Sequence, residues 1–261
     1  MYLPHALFGA LLGALGVVCA PVELQDDSLP LEIHTQTPLD SISSDPELLP
    51  SPPSEGPFLI PSRYESTILG RRLLALSKTG VLTTVFPENI TSPRVPNDVA
   101  RTPIGLPDYI ASCEEPSGNP TLLALTISTS TKNAFAGSNV SLALSWWDEY
   151  VHLTHKQPWS AANLPRLSMV GYLEVMTDEE VKTQNIAGCF TAVHGDSALW
   201  LPGKKWAAHK GLWTRLVVKE VYWIGGFGDR NFIGWFDADE WRGVAREEWE
   251  AVRLPGEKWS S

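Results

Sequence analysis

The sequence predicts a mainly β domain with peripheral helices, and three observations carry the prediction. Residues 212–224 alternate with period two: Trp213, Arg215, Val217, Lys219, Val221 and Trp223 fall on one face, and Leu212, Leu216, Val218, Tyr222 and Ile224 on the other, as a half-buried strand requires. Thr121 to Ser128 and Arg166 to Met176 repeat that character. Helical spacing, by contrast, is restricted to short stretches such as Arg63 to Ser77. At 261 residues and 43% hydrophobic content, the chain can bury one core of roughly 150–200 residues.

Taken in order, residues 1–20 contain an apolar run from Ala6 to Ala20, rich in Leu, Ala and Gly and closing on small residues. This reads as a secretory signal peptide, about fifteen residues being short of the roughly twenty that span a bilayer. No Lys or Arg precedes the run, and Pro21 follows it. With the signal removed, no membrane span is expected. Residues 21–62 hold eight acids and no Lys or Arg. Pro, Ser and acid without periodicity cannot bury enough apolar surface to offset ordering entropy, so a disordered leader is expected. The chain has 30 acids and 20 bases in total, which leaves 22 against 20 from Arg63 onward. A near-neutral domain behind an acidic leader gives no reason to expect nucleic-acid binding.

In the domain itself, residues 63–244, Tyr64, Thr67, Ile68, Arg71, Leu74 and Ser77 share a helical stripe, and Gly80 is placed as its C-cap. Val81 to Phe86 reads as the first strand and Ile104 to Cys113 as the second, with Pro107 restricting the latter to an edge or bulge position. Thr121 to Ser128 follows as a strand, then a short helix and another strand through Ser145. Arg166 to Met176 is the next strand. Thr177-Asp178-Glu179-Glu180 opens a helix with an N-cap and acids in its first turn, and that helix should carry Cys189 and Phe190. After the long strand, Gly225, Gly226 and Gly228 with Asp229 and Asn231 mark a turn, and Asn231 to Phe236 returns as a hairpin partner. Residues 245–261 form a C-terminal tail.

Cys19 leaves with the signal, so Cys113 and Cys189 remain, an even number for one disulfide; two reduced, buried thiols are the alternative. Asn89-Ile90-Thr91 and Asn139-Val140-Ser141 are glycosylation sequons, although Asn139 falls where a strand should start. His152 and His155 are three apart in an expected loop, with no acid completing a zinc motif. The glycines at 225, 226 and 228 precede a strand, not a helix, which argues against a phosphate-binding fingerprint. All eleven Trp lie after Ser145. Large aromatics are the material of cores and interfaces, and exposed ones can act as sugar platforms.

The run V-Y-W-I-G-G-F-G-D-R-N-F-I-G-W, Val221 to Trp235, resembles the end of the CREG-like β-barrel domain of fungal proteins, a secreted relative of the pyridoxamine-5′-phosphate-oxidase-like, FMN-binding split barrels. The likeness covers about Arg63 to Val244. Ile104 to Cys113 is similar to that family's second strand, and the helix leading into G-V-L-T-T looks like the opening of the split-barrel domains. The resemblance implies a six- or seven-stranded split barrel that buries its uncovered sheet surface in a two-fold homodimer, the interface also forming the cofactor site.

In flavin-binding relatives, hydroxyls and a basic residue at a strand-to-helix junction hold the FMN phosphate, and the matching residues are Ser128, Ser130 and Lys132. Here L-T-T-V-F-P-E-N-I and E-W-R-G-V-A-R-E-E-W stand where the oxidases carry an Arg-x-x-Leu-x-Lys-type strand and a C-terminal Arg/His segment. His194-Gly195-Asp196-Ser197 resembles the family's His-x-Asp-Ser segment. Adjacency in sequence does not make these three a triad, and turn formation accounts for the same residues. The leading expectation is a secreted or vacuolar glycoprotein without catalysis or cofactor, acting through an unidentified protein or glycan partner. The alternatives are an FMN-dependent oxidoreductase and a carbohydrate-binding module.

Overall fold

The computed structural model describes residues 59–258 other than 206 and 208; the expected signal peptide and nearly all of the expected disordered leader lie outside them. In chain order the elements are α1 (Arg63–Leu76), β1 (Thr79–Val85), β2 (Pro103–Glu114), β3 (Asn119–Leu125), α2 (Thr129–Phe135), β4 (Val140–Ser145), α3 (Trp147–Thr154), β5 (Arg166–Val175), α4 (Asp178–Thr183), α5 (Ile186–Val193), β6 (Gly211–Ile224), β7 (Ile233–Asp237), α6 (Ala238–Gly243) and α7 (Arg246–Ala251). The strands are antiparallel in the order β3-β2-β1-β4-β5-β6-β7, and β3 also pairs with β6. Six strands therefore close into a barrel, which removes their edges, and β7 is added outside the ring.

β6 organises this arrangement. One edge pairs along its length with β5. The other is shared, Gly211 to Arg215 pairing with β3 and Glu220 to Ile224 with β7. Between the two partners, the Val218 N–H donates to the Asn119 side-chain oxygen at 3.0 Å, which satisfies that backbone donor at the changeover. The β5 register jumps from Gly171↔Val218 to Val170↔Glu220, leaving Lys219 as an extra residue. This bulge inverts the facing of the strand. Leu216 and Val218 point into the core before it, and Val221 and Trp223 after it. Trp213 and Trp223, placed on one face by simple alternation, are thus on opposite faces: Trp223 fills the barrel, and Trp213 packs with Phe190 in a second cluster beneath α5. Opposite the bulge a Cβ on Gly171 would lie 1.9 Å from the Val217 carbonyl oxygen, so the backbones approach closely there.

α1 starts on a capping box between Ser62 and Glu65 and buries Thr67, Arg71 and Leu74 against the barrel. It ends at Ser77, whose N–H reaches Leu73 O. Gly80 is not its cap. It lies within β1, where a Cβ would come within 2.7 Å of Leu142 Cδ1 and Leu144 Cδ2. Pro107 pairs with Val81 of β1, and β3 meets β2 only from Ile110 onward, so the proline occupies a locally open edge of an otherwise interior strand. The helix begun at Thr177 breaks at Gln184 and Asn185. Asn185 takes a left-handed φ of 52°, which Asn tolerates better than most residues, and Cys189 and Phe190 are carried by α5. His152 is on α3 and His155 is its left-handed C-cap, where a loop was expected.

Residues beyond Val244 pack onto the domain. Trp249 and Leu254 are buried, Tyr64 donates to Glu248, and Trp146 Nε1 donates to Pro255 O at 2.7 Å. No helix among the described residues is long and apolar enough to cross a membrane.

Candidate functional site

The strand-to-helix junction at Ser128 is a helix cap. Ser128 Oγ accepts from the Thr131 N–H at 3.2 Å and donates to Thr131 Oγ1 at 2.7 Å; Ser130 is 3% exposed and Lys132 lies on the surface. Ser128 borders a pocket of about 100 Å³ shared with Asp108 and Trp200. That volume is about three waters' worth and is too small for a flavin nucleotide. Its walls carry an acid and no Lys or Arg, a charge that does not favour a phosphate in that pocket.

His194, Asp196 and Ser197 also part company. His194 Nε2 lies 2.8 Å from Ile110 O, and since a carbonyl only accepts, that nitrogen carries the hydrogen. Ser197 Oγ donates to His194 O at 2.7 Å, and Asp196 accepts from the Tyr109 hydroxyl at 2.9 Å. Tyr109 in turn stacks on the His194 ring with centroids 4.3 Å apart. The segment latches α5 to β2 and contains no nucleophile–base pair. The same two elements are joined by the Cys113–Cys189 disulfide. Asn89 and Asn139 are both exposed, Asn139 immediately before β4. Among the described residues no group of three or more His, Cys, Asp or Glu is placed to hold a metal ion.

Two features escape sequence reasoning. The first is a charge cluster: Arg215 on β6 meets Glu114 at 3.0 Å, Glu174 at 3.1 Å and Glu180 at 2.6 Å. The Thr177 backbone N–H, with Arg215 and the Thr177 hydroxyl, holds the Glu180 carboxyl down to about 2. Burial pushes Glu114 up despite Arg215, and its Oε2 is buried without a hydrogen-bond partner. The signal for this cluster is an Arg inside a strand otherwise dominated by apolar residues.

The second is the outer surface of the barrel. Cross-strand pairing puts Pro107, Val81, Ala143, Ser168, Tyr222 and Trp235 in one register row across β2, β1, β4, β5, β6 and β7. Val81 is 41% and Trp235 51% exposed, and Tyr222 lies against Trp235 with ring centres 4.9 Å apart. The row residues other than Trp235 line a cleft of about 490 Å³ whose charged lining is Lys78 and Arg166 together with Asp148 and Glu149. The Arg166 guanidinium is already engaged by Ala162 O and Leu164 O. Reading a row in register requires every strand pairing at once, which no local pattern supplies.

The sequence matches the family described as CREG, beta-barrel over residues 61–243. No curated protein matches it. Among solved structures, a heme-binding protein from Mycobacterium smegmatis is similar in fold, with a TM-score of 0.50 at 14% identity over 72% of this chain and 62% of that one. A protein of unknown function from Agrobacterium tumefaciens matches with a TM-score of 0.48 at 20% identity over 72% of this chain and 64% of that one. A pyridoxinephosphate-oxidase-family protein from Clostridium acetobutylicum, related to general stress protein 26, gives 0.43 at 11% identity, covering 69% of this chain and 99% of that one. The chain thus spans less than two thirds of the length of the first two.

Proposed function

Since this chain belongs to the CREG β-barrel family, we propose that it is a secreted glycoprotein that works by binding rather than by turnover, and that its outer sheet face is the surface it uses, with a second copy of the chain as the occupant. The observation behind this reading is the register row from Val81 to Trp235: a neutral, partly apolar strip across the sheet, most of it lining a cleft that also holds both basic and acidic side chains. A two-fold interface sets a patch against itself, and a patch with both signs at its margin can pair Lys78 or Arg166 with Asp148 or Glu149 of the other copy. The separation of His194, Asp196 and Ser197 into structural contacts supports a role without a catalytic triad at that segment.

Light scattering of the secreted protein tests the first part: a dimer that Tyr222→Asp with Trp235→Asp converts to a folded monomer is the expected result, and a wild-type monomer at micromolar concentration would overturn it. A visible absorption spectrum followed by FMN titration tests the second. Flavin bands, or turnover of reduced flavin by the pure protein, would replace this reading with the oxidoreductase.

A further inference from the structure

The pocket of about 100 Å³ beside Ser128 lies where β2 and β3 splay apart. β3 pairs with β2 only from Ile110 onward, so the chain from Leu123 to Ser128 leaves a slot against Asp108 and Tyr109. Phe190 and Trp200 complete the aromatic lining of the slot, and its charged lining residue is Asp108.

Asp108 is unusual for a carboxylate in that position. Its Oδ1 accepts from the neighbouring Tyr109 N–H at 2.8 Å, yet it forms no ion pair among the described residues, and burial pushes its pKa up with only that N–H opposing. A desolvated acid without a counter-ion is costly. The walls are held independently of any ligand. Tyr109 is fixed by its stack on His194 and its bond to Asp196, Phe190 is fully buried against Trp213, and the Cys113–Cys189 disulfide ties α5 to β2.

We propose that this slot is a binding site for a small organic ammonium ion, either free or as the terminus of a longer ligand. Asp108 supplies the opposite charge, and Tyr109, Phe190 and Trp200 supply apolar and aromatic surface for the alkyl groups, the combination that favours alkylated cations over hydrated metal ions. The volume admits a head group of about three to five heavy atoms. An anion is disfavoured by the same acid.

Tetramethylammonium chloride and methylammonium chloride, titrated into the full secreted protein by calorimetry with sodium acetate as the anionic control, test the assignment. Saturable binding of at least one cation is expected, with none by acetate. Asp108→Asn should weaken it by at least about tenfold, the value of one charge-assisted contact. Leu125→Phe, which fills the slot and leaves the acid in place, should weaken it similarly and decides the matter if the Asn variant does not fold. No saturable binding by the wild type would overturn the assignment, as would affinity retained within about twofold in a folded variant. Because the slot is separate from the outer sheet row, a monomeric Tyr222→Asp, Trp235→Asp variant should still bind the cation.

Discussion

Arg71 and Trp241 are bound face to backbone: the guanidinium carbon lies 5.5 Å from the Trp241 ring centre while Nη1 donates to the Trp241 carbonyl at 2.8 Å. The same guanidinium reaches Pro116 O at 3.0 Å and the Glu115 carboxylate, so one buried side chain joins α1, the β2–β3 turn and α6. Arg71→Met keeps the stem and removes every polar contact. It is expected to cost about 3 kcal/mol in chemical denaturation, since it strands buried carbonyls and part of an ion pair.

Removing the Cys113–Cys189 link frees a loop of 76 residues. The Cys113→Ala, Cys189→Ala pair should lower unfolding free energy by about 4 kcal/mol if chain entropy dominates. The loss should be smaller under reducing conditions, where the wild type forfeits the same constraint.

Gly171→Ala places a methyl onto the Val217 carbonyl. The bulge cannot absorb this without separating β5 from β6, and a loss of about 3 kcal/mol or more is expected by thermal or denaturant unfolding.

Glu180 and Glu114 should respond to acid in opposite senses. Glu180 is held down to about 2, so its contribution is present above the unfolded carboxylate range near 4.5 and is lost as pH falls from there toward 2. Glu114 is raised by burial, so its ionised form weakens the fold and stability is lost as pH rises through its folded pKa. At pH 7 Glu180→Gln should lower the melting midpoint. Glu114→Gln should leave it unchanged or raise it, within about 1 kcal/mol. A Glu114→Gln variant as damaging as Glu180→Gln would contradict the charge assignment.

Asn89 and Asn139 both sit in the open, so expression through a eukaryotic secretory pathway should yield two glycan mass increments. Asn89→Gln and Asn139→Gln should each remove one, as read by intact mass before and after enzymatic deglycosylation.

The wall of the barrel is legible because period-two alternation reports which side of a sheet is wet, and each of the seven strands has a counterpart in the sequence reading. Cysteine counting reaches the Cys113–Cys189 bridge for a similar reason: two thiols leave one pairing. What stays hidden is set by insertions and by distance along the chain. Lys219 shifts the facing of everything after it without altering composition, so Trp213 and Trp223 look equivalent and are not. Gly80 resembles a helix terminator when only its neighbours are considered, whereas its constraint comes from Leu142 and Leu144, some sixty residues on. Asp108, between Pro107 and Tyr109, reads as one more residue of the second strand, and its charge matters only because β3 diverges beside it.

The Asn119 side chain, by accepting from Val218, marks where β6 passes from one neighbour to the next. That single contact divides the strand into two cooperative territories. The β7 hairpin rests on backbone bonds that stop at Glu220, while the ring closes through bonds that end at Arg215. Amide exchange should therefore resolve them as separate opening events, with the hairpin peeling from a barrel that remains shut and Asn119 acting as the stop at which the peeling halts.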